Sequence, residues 1–212
     1  MFMPTVTTPS AITQEILDFC RAIEPAHGPL WLELEPQGWA KPQNAFLNVG
    51  FQVSMHGGAV QHGWIIWLAE HTGRPLYAEA EFHAVWAAPN RALIDITPKA
   101  DGERRVLFLP DSKMSFEGSV VPNRLHDIAR TEISRTMVEG NRRIAEVTAA
   151  LSDKVRNGEL PMGVRVPVER IMLETIAAHG VRLGFGRNDL CPCLSGRTYK
   201  NCHRRITEPL PR

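Results

Sequence analysis

Apolar positions recur along this chain with two different periods, and the switches between them mark out its elements. In "SAITQEILDFCRAIEP", Ile12, Ile16, Phe19, Cys20 and Ile23 fall three or four residues apart. That spacing lines one face of a helix, with Ser10 as its cap and Pro25 as its stop. Cys20 lies in the stripe and is expected as a small buried hydrophobe. After the Pro- and Gly-punctuated "GPLWLELEPQGWAKPQ", the stretch "NAFLNVGFQVSMHGG" repeats the pattern more briefly. Asn44 is its expected N-cap, Phe46, Val49 and Val53 share a face, and Gly57–Gly58 end it.

The period then shortens. "GWIIWLAE", "LYAEAEFHAVWAA", "ALIDITP" and "RVLFLPD" are short runs rich in β-branched and aromatic residues, separated by "HTGRP", "PNR" and "KADGE". They predict a meander of three or four antiparallel strands. Trp64, Trp67 and Trp86 fall on these strands as core residues or cleft walls. His56, His62 and His71 share no face with a carboxylate and are expected on the surface or in loops. Beyond Pro122 the helical period returns. Leu125, Ile128, Ile133 and Met137, then Ile144, Val147, Leu151 and Val155, form stripes to about residue 156, with a break or kink expected at Gly140–Asn141. "NGELPMGVRVP" reads as a linker and "PVERIMLETIAAHG" as a short last helix. The pattern is that of an α+β fold: a body over 1–120, a helical extension over 121–180 and a tail over 181–212.

Composition changes this picture in one respect. The 212 residues are 43% hydrophobic and 22% charged, ordinary for a globular chain, and the net charge is +1. That near-neutrality hides an asymmetry. Residues 181–212 hold seven Arg and Lys against two acids, whereas the remainder holds 17 against 21. A basic tail on a mildly acidic body suits an acidic partner, or a tail kept soluble by its charge. No run approaches the roughly 18 apolar residues of a membrane span, and the N-terminus lacks a basic start with an apolar core. A cytoplasmic location without a membrane partner is therefore expected, where thiols stay reduced.

Three of the four cysteines lie in that tail, within "GRNDLCPCLSGRTYKNCH". Cys191, Cys193, Cys202 and His203 have the spacing C-x-C-x8-C-H. Four such ligands, divided by a turn at Leu194–Gly196, suit a closed tetrahedral zinc site. With every position filled, that zinc is structural. The segment is too short for a core of its own, so metal binding would supply its folding free energy. The stretch resembles the SEC-C zinc-binding motif, named for the C-terminus of the SecA translocase subunit. Leu190 replaces the usual proline and Leu194 the usual first glycine of the loop, and neither is a ligand. The resemblance implies one zinc and docking on a protein or ribosomal partner.

In the body, "EAEFHAVWAAPNRALIDITP" puts His83 on one strand and Asp95 near the end of the next. A tight turn at Pro89–Arg91 brings the two nearly opposite, so that the carboxylate can orient the imidazole. A satisfied core histidine and a strand-end aspartate are the plain alternative. H-A-x-W, a turn, then D-x-T-P resembles the transglutaminase-like branch of the papain-like cysteine enzymes. There a cysteine opens a helix, and the His and Asp follow on adjacent antiparallel strands. The resemblance implies a papain/transglutaminase-like body with flanking helices. It makes His83 the general base and acid and Asp95 its orienter, and it places the nucleophile at Ala45. A thiol there would be activated by the helix start and the imidazolium. Alanine supplies none. Ser54 lies too late in the helix to substitute. The oxyanion donors would be the Ala45 N–H and one of Gln37, Trp39 or Gln43.

The expected function is that of a cysteine-type amide-bond hydrolase or acyltransferase acting on a peptide or protein. Alanine at the nucleophile position makes this chain either an engineered Cys→Ala form or a natural pseudoenzyme. The zinc knuckle would recruit the partner. The alternative is a non-catalytic adaptor acting through the zinc module.

Overall fold

The computed structural model describes residues 4–71, 73–99, 102–159, 166, 168–178, 186–191 and 196–202. The chain divides into two compact units, Met1–Gly118 and Ser119–Arg212.

The first unit is α+β. Its elements are β1 (Thr5–Thr7), α1 (Gln14–Ile23), β2 (Leu30–Glu33), α2 (Ala45–His56), β3 (Ala59–His71), β4 (Arg74–Ala87), β5 (Leu93–Ile94) and β6 (Arg105–Pro110). The strand order is β2-β6-β3-β4-β5, and β1 pairs with β3. All of these strand pairs are antiparallel. The long β3–β4 hairpin is the spine, running from Ala59 opposite Ala87 to His71 opposite Arg74. β6 covers β3 over Gly63–Ile66, and β1 takes the same edge further on, at Leu68–Glu70. Leu32, Ile65, Val85, Val106 and Phe108 form one core on the sheet. On α2's side, Val49 packs with Ala84 and Ile96.

Several sequence expectations move in detail. Thr13, not Ser10, caps α1, accepting from the Ile16 N–H at 3.4 Å. Ser10 lies three residues before the cap, too far to meet the free N–H groups of the first turn. Two strands, β1 and β2, were not anticipated, because "TVT" and "LWLE" are too short to show a period. His62 is a strand residue, half-buried in an aromatic cluster. Its ring lies 6.0 Å from that of Phe46 and 5.8 Å from that of Phe82.

In the second unit, residues 124–127 form strand β7 rather than helix. Helix α3 spans Glu132–Arg156, opened by a reciprocal Thr131–Ser134 capping box. It runs through Gly140–Asn141 without the expected break. Gly140 is buried, and a Cβ there would stand 2.7 Å from the Met172 Sδ of α4 (Val168–Ala178). The glycine therefore serves close helix packing. Arg143 spans the same contact, donating to the Thr175 hydroxyl at 2.8 Å. No described helix is long and apolar enough to cross a membrane.

Candidate functional site

Asp95 follows directly on β5. The register of β4 and β5 pairs Trp86 with Ile94 and Ala87 with Leu93. Continued by one residue, it sets Asp95 opposite Val85, so His83 reaches it on the diagonal rather than straight across. The His83 Nε2 to Asp95 Oδ2 distance is 3.0 Å, and both residues are buried. The second oxygen of the carboxylate, Oδ1, accepts the Thr97 N–H at 2.9 Å. The Lys99 ammonium stands 3.3 Å from Oδ2. The backbone is fixed as well, since the Glu35 N–H donates to the Asp95 carbonyl at 2.9 Å and the Gln37 N–H to that of Ile96 at 3.2 Å.

These contacts determine the charge state. Burial pushes the Asp95 carboxyl up, but the His83 hydrogen bond and charge, the Lys99 charge and the Thr97 N–H together outweigh it. The net effect holds Asp95 below the usual carboxylate range. Asp95 is thus a buried anion held between the His83 ring and the Lys99 ammonium.

Ala45 is the first residue of α2, directly after Asn44. The Asn44 side chain makes no cap hydrogen bond, although its position before the helix is as expected. Gln43 has φ +63°, in the left-handed region that non-glycine residues seldom adopt. Asn48, one turn into the helix, accepts the Lys41 N–H at 3.1 Å, donates to the Lys41 carbonyl at 2.8 Å and bonds the Thr97 hydroxyl at 3.2 Å. This one amide therefore ties the approach to α2 to the residues beyond Asp95. Ala45 and His83 line one cavity of about 300 Å³, walled by Pro42, Gln43, Phe46, Phe82, Thr97 and Pro98, with Trp67, Glu81 and Lys99 also lining it.

Asn48 and Lys99 escaped the sequence reading. Both left a signal. Asn48 is a polar residue inside the apolar stripe of α2, and Lys99 stands four residues after Asp95. Cys20, by contrast, is fully buried as expected, and burial pushes its thiol up to about 12. Gln37 and Trp39 do not line the cavity, whereas Gln43 does.

Of the four expected zinc ligands, Cys191 and Cys202 are described, while Cys193 and His203 lie outside the described residues. Cys191 is buried and packs with Tyr199 and Cys202 in one small cluster. A short hairpin creates it. Leu190 and Thr198 form a bridge, and the Cys191 N–H donates to the Arg197 carbonyl at 2.8 Å. The Tyr199 N–H donates to the Asp189 carbonyl at 2.8 Å, and Tyr199–Asn201 closes as a 3-10 turn that carries Cys202 back. Ahead of the hairpin, the Asp189 carboxylate accepts the Gly186 N–H at 2.6 Å, which turns "GRND" on itself. Two thiols brought together on an otherwise coreless hairpin are a donor set that suits a thiolate-seeking metal.

Residues 187–205 match the SEC-C motif. Similarity to curated proteins extends beyond the motif. SecA, the protein translocase subunit, of Acidovorax sp. (strain JS42) is 32% identical over 110 residues, covering 46% of this chain and 12% of that protein. SecA of Laribacter hongkongensis (strain HLHK9) is 61% identical over 33 residues, 16% of this chain and 3% of its own length. The chain therefore spans no more than 12% of these relatives. No solved structure matches. These similarities concern SecA and lend no support to a transglutaminase-like body.

Proposed function

We propose that the first unit is a transglutaminase-like, papain-type body built for amide-bond chemistry, with the nucleophile position occupied by Ala45. His83 is the general base and acid of this reading, and Asp95 its orienter. The single observation behind it is that Ala45, at the first turn of α2, shares a cavity with a His83 held by a buried Asp95. With alanine there the chain binds a peptide or protein substrate without cleaving it, whether the alanine is natural or engineered.

The SEC-C module is proposed to hold one structural zinc through Cys191, Cys193, Cys202 and His203. Zinc supplies the folding free energy of this segment when bound, and the basic residues around it recruit a protein or ribosomal partner. A second reading, in which the body is only a binding surface and the protein an adaptor, draws on the SEC-C match.

Restoring the thiol separates the two. A cysteine at a helix start beside an imidazolium can have its pKa lowered from about 8.5 to between roughly 3.5 and 7.5. Ala45→Cys should then alkylate with iodoacetamide at pH 6 far faster than the parent, in which Cys20 is buried. Adding His83→Ala should remove most of that gain. A thiol at 45 no faster than an exposed cysteine, or equally fast without His83, leaves the adaptor as the function.

A further inference from the structure

Helix α2 is apolar on two faces, and only one of them packs against the sheet. On that inner face Val49, with Phe46 and Val53 beside it, meets Ala84 and Ile96. On the outward face Leu47 is 72% exposed, Phe51 49% and Met55 62%. They stand one turn apart along the helix and form a single stripe. Trp39, 40% exposed, widens it, with its ring 4.8 Å from that of Phe51 in an edge-on contact. From Ala45 to Met55 the helix carries no charged side chain, and its last residue is His56. The other residues of this face are small. Gly50 sits in mid-helix, where glycine is among the least favourable residues, and a Cβ on it would meet no described atom within 4 Å beyond its own helix. Packing inside the chain therefore does not call for this glycine, unlike Gly140. Ser54 is exposed, and its hydroxyl donates back to the Phe51 carbonyl at 2.7 Å. Covering it would strand no donor.

We propose that this face is a self-association surface, on which α2 packs antiparallel against α2 of a second copy of the chain about a two-fold axis. The order of the stripe points to a second copy. The centre of α2 falls between Gly50 and Phe51. A two-fold axis there sets Phe51 over the other copy's Gly50, and Leu47 over its Ser54. Each large side chain then meets a small one, the complementarity that close helix packing needs. Charge agrees, because a two-fold contact sets a surface against itself. A charge near the axis would meet its like, and this face has none to oppose. Area sets the strength. At these exposures the four side chains present roughly 450 Å², within the roughly 300–600 Å² of the largest apolar patch on a typical monomer. Two copies bury about 900 Å² together, below the roughly 1,200–2,000 Å² of stable interfaces and in the range of weak ones. The dimer therefore dissociates on the order of 10–100 µM.

Sedimentation equilibrium on the full chain, from about 5 to about 500 µM so as to bracket that range, should show monomer and dimer exchanging. Phe51→Glu should weaken the dimer at least about tenfold, because it sets two carboxylates beside the axis. Phe51 is half exposed, so thermal unfolding of the dilute variant should match the parent, which shows that loss of the dimer is not loss of fold. Complementation tests the register. Leu47→Glu and Ser54→Lys should each self-associate less than the parent. An equimolar mixture should dimerise more strongly than either alone, since the new carboxylate of one copy then faces the new ammonium of the other. A chain still monomeric at the highest concentration, a dimer untouched by Phe51→Glu, or a mixture no stronger than its components overturns the proposal. So does a dilute Phe51→Glu variant that melts well below the parent, which assigns the face to packing within the chain.

Discussion

His83 and Asp95 are twelve positions apart in the chain and Cys191 and Cys202 eleven, yet the two pairs are held together by opposite means. The first depends on distant chain. Asp95 is fixed by the Glu35 N–H, and its Thr97 neighbour is tied to α2 by Asn48. The second is brought together on its own hairpin, where the Cys191, Tyr199, Lys200 and Cys202 N–H groups donate to carbonyls of residues 187–199. A site assembled by a sheet inherits the sheet's stability, whereas the hairpin has only the small cluster of Cys191, Tyr199 and Cys202 among its described residues. The contrast can be tested region by region.

The largest effect should come from metal removal. Purified protein should contain about one equivalent of zinc per chain, and Cys191→Ser should lose it. Zinc binding to such a segment is worth on the order of 10 kcal/mol or more, so amides of residues 186–202 should lose hydrogen-exchange protection. The first unit's thermal unfolding should be unchanged. If both regions loosen together, the modules are not independent.

Next comes the sheet beneath His83. Gly63 pairs with His83 across β3 and β4, and a Cβ on it would stand 2.3 Å from the Leu109 carbonyl oxygen and 2.5 Å from the Phe108 ring. Neither can yield easily in a packed sheet. Gly63→Ala should cost about 1–3 kcal/mol in urea unfolding of the first unit, while zinc content stays the same. A neutral substitution would mean that the sheet is looser than its packing implies.

A smaller effect follows from Asp95. Its folded carboxyl lies below the ordinary value of about 3.9, so its stabilisation is complete above that value and is lost as pH falls through the lower, folded one. The first unit should therefore lose stability as pH falls below about 4, and Asp95→Asn should flatten that slope. Equal slopes in parent and variant would show that the His83 and Lys99 contacts contribute little.

The smallest change is expected at Gly140→Ala. The new methyl meets the flexible end of Met172, and alanine gains up to about 1 kcal/mol of helix propensity over glycine. The two effects oppose each other, and a net shift within about 1 kcal/mol is expected by thermal unfolding.

How much of this was legible follows the same division. The SEC-C motif could be read because its signature resides in residue type and close spacing. The helices and the long hairpin could be read because their apolar period is sustained for ten residues or more. β1 and β2 could not, since three or four residues hold too little period. Gly140 was misread because a glycine that permits close helix approach has the same sequence signature as one that breaks a helix, until the facing Met172 is known. Lys99 and Asn48 were missed because their roles exist only against partners on other elements.

Sequence by itself therefore determined the α+β pattern, the apolar faces and the cysteine spacing, all properties of near neighbours along the chain. Tertiary structure decided that His83 meets Asp95 on a diagonal, that Lys99 shares the same carboxylate, and that Ala45 opens onto their cavity. Hydrogen bonding and burial act over a few ångströms in space, and only the folded sheet brings residues from 41 to 99 within that range.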